Sequence, residues 1–273
     1  MNKLITLAFS PCPNDTFIFD ALVHQKIDTE GLKFDYHIAD VEELNKEAFH
    51  TTYDVSKMSF NAFLNVLSSY VSLTYGAAFC DNFGPVVVAQ KGLEKKASDA
   101  IVAVPGLYTT AASLYQMFFP FKKLYPVHFT KVEEVLNKDL ADIGVLIHEQ
   151  VFSYSEKRLE AIANLGQLWY AQTQLPVPLG CIAVRRSMAP ELKMKINRLL
   201  GKSIRYAMKN PKSANDFVLL HADNTQPLIV EKHIKTYVNA YSLNFNENAI
   251  KAVKTLMSKM PDSSSLEKLS IIV

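Results

Sequence analysis

Glycine is scarce in this chain, nine in 273 residues, and none of the nine falls into a GxGxxG or GxxxxGK-Ser/Thr pattern. The loops that cradle dinucleotide and triphosphate groups need that spacing, so both chemistries are disfavoured. There is no HExxH. The three cysteines, Cys12, Cys80 and Cys181, stand far apart and form no CxxC pair. A disulfide framework and a structural zinc site are thereby argued against, and reduced thiols in a cytoplasmic protein are expected. Charge of one sign is also missing: 29 Lys and Arg face 27 Asp and Glu, a net of +2 without a dense basic block. Nucleic-acid partners ask for a stronger basic footprint. No apolar stretch approaches the ~18 residues of a membrane helix. The start, Met1-Asn2-Lys3 before Leu4 to Phe9, has the outline of a signal peptide. Its apolar run is shorter than the ~7–15 residues expected, and Pro11 and Pro13 follow at once. A first strand accounts for it better.

What is present is enough apolar material for a substantial core: 49% hydrophobic against 21% charged residues. The length suits one large domain or two modest ones. Residues 3–9 read as a buried strand, followed by the polar loop SPCPND and a helix over 16–24, with Asn14 or Asp15 as its cap. The same grammar recurs. Residues 53–59 read as a strand and 60–70 as a helix; 100–106 read as a strand and 109–119 as a helix capped by Thr109 or Thr110. The run 141–149, apolar on both faces, reads as a buried parallel strand. Alternating strands and helices indicate an α/β fold. A weak internal echo relates 41–59 to 132–148: polar helix, break, then Asp leading into an apolar strand. Two lobes with similar units would produce it. Pro and Gly mark two crossovers, 82–89 and 176–186, which put one lobe at both chain ends and the other in the middle. The expected division is 1–88 plus 190–273 for the larger lobe and 89–189 for the smaller. The last third reads as helices over 190–209, 213–222 and 228–240; residues 261–265 read as a turn, with the tail LSIIV packing back.

Three segments share the layout strand, polar loop, helix start: Ser10–Thr16, Ser56–Ser59 and Gly106–Thr110. Unpaired N–H groups in a first helical turn attract anions, and ligands in open α/β sheets lie beyond the carboxyl ends of strands. Each loop alone is also an ordinary cap; together they point to one anion cleft. Ser10, Asn14 and Asp15 are its candidate loop residues. Lys57, near the end of an apolar strand, is either a solvated lysine or a cleft cation for a substrate carboxylate. His148 ends the run GVLI, where an imidazole can take and return a proton at neutral pH; the plainer alternative is a satisfied histidine at a strand end. Glu149 follows, but strand neighbours point to opposite faces, so it is not automatically the partner of His148. Cys12 is either a nucleophile or an inert buried thiol. The remaining histidines, His233 among them, show no metal spacing.

SPCPNDTFIFDALVH (10–24) resembles the 1,4-dihydroxy-6-naphthoate synthase family, and the likeness runs on through SKMSF (56–60), NFGPVVVA (82–89), VAVPGLYTTA (102–111), GVLIHE (144–149), LPVPLGCIAVRR (175–186) and TYVNAYSL (236–243). The resemblance implies a periplasmic-binding-protein-like fold of type II, two α/β lobes with a ligand cleft between them. It implies a carbon–carbon lyase of menaquinone biosynthesis by the futalosine pathway, converting cyclic dehypoxanthine futalosine to 1,4-dihydroxy-6-naphthoate. No cofactor or metal is implied; the partner is a small anionic aromatic substrate, with no nucleic acid and no membrane. By motif, His148 would be the proton acceptor, and Lys57, Met58, Ser59, Thr109 and Thr110 would line the substrate site. After His148-Glu149 the family pattern has a small residue and a Thr-Tyr pair. Here the chain reads QVFSY, which leaves Gln150 and Ser153 without a carried-over role. The alternatives are chorismate dehydratase of the same pathway, a non-catalytic anion- or solute-binding protein and, last, the ligand-sensing domain of a regulator.

Overall fold

The computed structural model describes residues 3–92, 100–119, 123–154 and 159–259. The larger sheet holds β1 (Lys3–Phe9), β2 (Leu32–Ile38), β3 (Val55–Ser59), β4 (Tyr70–Ser72) and β5 (Ala78–Cys80). The smaller holds β6 (Val86–Gln90), β7 (Ile101–Val104), β8 (Lys123–Pro126), β9 (Ile143–Leu146) and β10 (Leu159–Asn164). The helices among these strands are α1 (Pro13–Val23), α2 (Val41–Phe49), α3 (Phe60–Asn65), α4 (Thr110–Phe118), α5 (Val132–Asn137) and α6 (Leu165–Thr173). Then β11 (Val177–Arg185) precedes α7 (Pro190–Lys209), α8 (Asn215–His221), α9 (Pro227–Tyr237), α10 (Ala240–Leu243) and α11 (Glu247–Ser258). Strand order is β2-β1-β3-β11-β4, with β5 also on β11, in one sheet and β10-β6-β9-β7-β8 in the other. No helix among the described residues is long and apolar enough to cross a membrane.

The expected two-lobed division appears with shifted boundaries. β11 was expected in the smaller lobe; it pairs antiparallel with β3, β4 and β5 of the larger sheet instead. Residues 177–185 are buried on nearly every position, as a central return strand requires, so the second crossing lies before Val177 rather than at 189. The first crossing lies before Val86, since all of β6 pairs within the smaller sheet. Gly84 and Pro85 end the pairing there: proline has no N–H to give. Gly84 also passes so close to Gly166, at the start of α6, that a Cβ on Gly166 would lie 2.1 Å from the Phe83 carbonyl carbon.

β6 carries the logic of a strand covered on both faces. Val87 joins one apolar cluster, which includes Met58, Phe60 and Phe79 of the larger lobe and Val102, Val145 and Trp169 of the smaller. Val86 and Val88 join a second cluster with Val132 and Leu136. The first cluster therefore ties the two lobes together beneath the cleft, and each large side chain in it contributes about 1.5–3 kcal/mol by leaving water. A third cluster packs β1 against α1 and α7.

The internal echo is structural. In the larger lobe α2 leads through Asp54 into β3, and the Asp54 carboxylate accepts from the Thr6 N–H of parallel β1 at 3.0 Å. In the smaller lobe α5 leads through Asp142 into β9, and Asp142 accepts from the Ile101 N–H of parallel β7 at 2.8 Å. Each aspartate ties down the start of its strand, so both strands deliver their carboxyl ends to the same cleft.

Local readings shift at three places. α1 starts earlier than expected: Cys12 is the N-cap, without a side-chain cap bond, and Pro13 opens the helix. Asn14 and Asp15 are therefore first-turn residues rather than caps. α3 stops at Asn65, and Tyr70, expected at a helix end, starts β4. β9 stops at Leu146. The turn at 261–265 and the tail LSIIV lie outside the described residues.

Candidate active site

The nine residues proposed from sequence, Ser10, Asn14, Asp15, Lys57, Met58, Ser59, Thr109, Thr110 and His148, all line one cavity. Val41, Ala78, Pro85, Ala111, Ile147, Leu179, Gly180, His233 and Tyr237 complete the lining.

Asp15 organises one wall. It lies in the first turn of α1, fully buried, where the partial positive charge of a helix start favours a carboxylate. Its Oδ2 accepts from the Ser10 hydroxyl at 2.6 Å, and its Oδ1 accepts from the Asn14 amide at 2.8 Å. Lys57, delivered by β3, donates to Oδ1 at 2.6 Å. Its charge is thus already balanced inside the protein, so it is neither a solvated lysine nor a free cleft cation. Alternation along β3 puts Lys57 and Ser59 on one face and Met58 on the other. The Ser59 N–H donates to the Asn45 side chain at 2.8 Å, which fixes the strand end over α2.

The threonine pair divides its work. Thr109 caps α4, accepting from the Ala112 N–H at 3.1 Å, while its hydroxyl donates to the Gly106 carbonyl at 2.9 Å. Thr110 donates to the Leu179 carbonyl at 2.8 Å and accepts from the Asn61 N–H at 3.3 Å. Between the lobes, the Tyr108 N–H donates to Glu42 of α2 at 3.1 Å. Burial pushes the Glu42 carboxyl above its usual range. Gly106, at φ +105°, lies so close to it that a Cβ there would be 2.3 Å from the Glu42 carboxyl carbon. The two lobes are therefore closed on each other in this structure.

His148 stands on the opposite wall. It is not the last residue of a straight strand: Ile147 is extended and His148 adopts φ +54°, in the left-handed region, at the start of a short 3-10 turn. That region is uncommon for a residue with a Cβ and marks a position determined by its surroundings. Strand alternation therefore does not set the directions of His148 and Glu149. The His148 Nδ1 lies 3.1 Å from the Cys12 sulfur, while its Nε2 is buried without a hydrogen-bond partner. Burial pushes its pKa down to about 4, with Asp40 and Asp15 opposing that shift. At neutral pH the ring is uncharged. Burial, then the nearby Glu149 and Asp15, push the Cys12 thiol well above its ordinary range. A protonated thiol is a poor nucleophile.

Sequence reasoning missed what lies behind His148. Glu149 is buried, and burial pushes its carboxyl up to about 7; the N–H groups of Glu149, Asp223 and Asn224 pull it partly back without closing a hydrogen bond. His233 of α9 is fully buried, with Nδ1 3.6 Å from a Glu149 oxygen, and Tyr237 packs edge-on against it at 4.7 Å. The spacing of 233 and 237 on one helix face was the available signal. Cys12, His148 and Glu149 bring possible metal-ligand atoms within 4.8 Å of one another. No spacing rule finds a group whose members lie 136 residues apart.

Comparison with known proteins agrees with this architecture. A Candida albicans protein described as exhibiting the generic periplasmic-binding-protein fold superposes with a TM-score of 0.69 at 13% identity, covering 98% of this chain and 95% of that one. That likeness shows the fold. A crystal structure of an Archaeoglobus fulgidus protein superposes with a TM-score of 0.88 at 31% identity, covering 94% of this chain and 96% of that one. A curated 1,4-dihydroxy-6-naphthoate synthase of Thermus thermophilus is 34% identical over 258 residues, 94% of each chain. A profile of the family described as menaquinone biosynthesis matches residues 5–262. The chain has a periplasmic-binding-protein-like fold and belongs to the menaquinone-biosynthesis family, with the 1,4-dihydroxy-6-naphthoate synthases as its relatives.

Proposed function

We propose that the chain converts cyclic dehypoxanthine futalosine to 1,4-dihydroxy-6-naphthoate, with His148 as the general base. The observation that carries this reading is the Nε2 of His148, buried without a partner beside a cavity that also holds the starts of α1 and α4. With the ring proton on Nδ1, facing the Cys12 sulfur, the neutral imidazole keeps a lone pair on Nε2 that can accept a proton. The first-turn N–H groups beside Thr109 and Thr110 hold the aromatic carboxylate. Closure of the lobes excludes water and strengthens those contacts. His148 then removes a proton from the spiro-ring substrate. Cleavage of a C–C bond follows, and aromatisation of the product supplies driving force. The reaction class is that of a carbon–carbon lyase.

Lys57 serves this reading indirectly. Paired with Asp15, it keeps the wall under Ser10 and Asn14 in one arrangement and adds no free positive charge of its own. The carboxylate is bound by the N–H groups and dipole of the helix start.

The direct test mixes the purified protein with cyclic dehypoxanthine futalosine and follows products by chromatography and mass. Dihydroxynaphthoate is expected. If the substrate raises the melting temperature but no product forms, the chain is a binding protein; a ligand that prefers the native state stabilises it. With neither product nor binding, the substrate assignment fails.

A further inference from the structure

The polar groups on the His148 side of the cleft are poorly satisfied for so buried a place. Both oxygens of Glu149, both ring nitrogens of His233 and the Nε2 of His148 lack a hydrogen-bond partner. Buried polar atoms are nearly always paired, so such a cluster asks what else they contact. Cys12 and Glu149 do not line the substrate cavity, so a substrate held there does not reach all of them. What the group shares is metal-binding chemistry. A thiol sulfur, an imidazole nitrogen and a carboxylate oxygen lie within 4.8 Å of one another. His233 lies outside that group, with its Nδ1 3.6 Å from a Glu149 oxygen, where it can orient the carboxylate.

We propose that Cys12, His148 and Glu149, with His233 behind Glu149 as a neighbour that orients the carboxylate, form a site for a zinc-class divalent ion behind the catalytic cavity. The donor set selects the ion. Sulfur and imidazole suit zinc and its neighbours in four-coordinate geometry, whereas calcium and magnesium take oxygen ligands. A thiolate and a carboxylate together balance the two positive charges, which removes the cost of burying an unpaired ion.

The site bears on catalysis through one ring, and this part rests on the function proposed above. The Cys12 sulfur approaches His148 at Nδ1, 3.1 Å away. An ion bound there holds the Nδ1 lone pair, so the proton of the neutral ring stays on Nε2. A ring in that state donates at Nε2 and accepts nothing. Occupancy and general-base catalysis therefore exclude each other, and the ion acts as a reversible inhibitor.

Cobalt(II) is the probe, because a thiolate ligand gives it an intense near-ultraviolet charge-transfer band. Protein freed of metal by a chelator is titrated with cobalt(II), and zinc stoichiometry is measured by equilibrium dialysis. One ion per chain is expected, with the thiolate band present in the native protein and absent in Cys12→Ser. Glu149→Gln and His233→Gln, checked for native circular dichroism, should each weaken zinc by at least about tenfold. Absence of stoichiometric binding overturns the site, as does binding that none of the three variants changes. Turnover is measured in parallel and should fall as zinc fills the site and return with chelator. If the thiolate band appears while turnover is unaffected by zinc, the site stands and the assignment of His148 as base falls.

Discussion

The two walls of the cleft are built on opposite plans. On the larger-lobe wall every polar group named has a partner: Asp15 receives Ser10, Asn14 and Lys57, and its charge is cancelled within 2.6 Å. Facing it, His148 and Glu149 of the smaller lobe and His233 of α9 together leave five buried polar atoms without hydrogen bonds. A satisfied network holds one geometry, because each alternative breaks a buried bond. An unsatisfied one leaves lone pairs available. Under the proposed function the difference is a division of labour: one wall positions the ligand, and the other is free to react with it.

Breaking the satisfied wall should have the largest effect on stability. Asp15→Ala leaves the Lys57 ammonium buried and unpaired, and should cost about 3–5 kcal/mol in denaturant unfolding. Adding Lys57→Met to that variant removes the stranded charge and should recover part of the loss. Additive losses would mean that the two residues do not act as a pair.

A smaller effect is expected at the start of α4. Thr109→Ala removes the cap on the Ala112 N–H and should cost about 1 kcal/mol of stability. If the same helix start holds the substrate carboxylate, KM should rise together with that loss. Thr109→Ser, which keeps the oxygen, should restore both.

The smallest effect sharpens the comparison through pH. Glu42 is buried between the lobes and its carboxyl is pushed above the usual range. A group with a raised folded-state pKa contributes stability that is complete below its unfolded value and is lost as pH rises through the folded one. Glu42→Gln lacks that loss while keeping an acceptor for the Tyr108 N–H. The melting temperatures of wild type and variant should coincide near pH 4 and separate by about 2 °C in favour of the variant at pH 8. An unchanged difference across that range would remove the burial argument.

Much of this was legible in the chain because it rests on local physics. The strand 3–9 and the helix 190–209 follow from apolar patterning, and the Thr109 cap from hydroxyl chemistry. The echo between 41–59 and 132–148 marked two real units, down to the aspartates Asp54 and Asp142 that tie each strand to its neighbour. All nine candidate residues line one cavity because strand ends and helix starts of both lobes converge there.

What was not legible depends on partners distant in sequence. The return strand β11 looks like any buried strand until its pairing with β3 is seen, which is why the second boundary was placed after it. The left-handed backbone at His148 has no signature, since histidine does not require it; packing around the cleft imposes it. The contact of Cys12 with His148 joins a loop of one lobe to a strand end of the other.

The most direct test of the account is a paired measurement on His148→Ala: substrate affinity by calorimetry and single-turnover rate on the same preparation. The account predicts affinity within a few-fold of wild type and a rate lower by about 10²–10⁴, the usual contribution of a general base. A near-normal rate in a correctly folded variant would contradict it and place the proton transfer on another group.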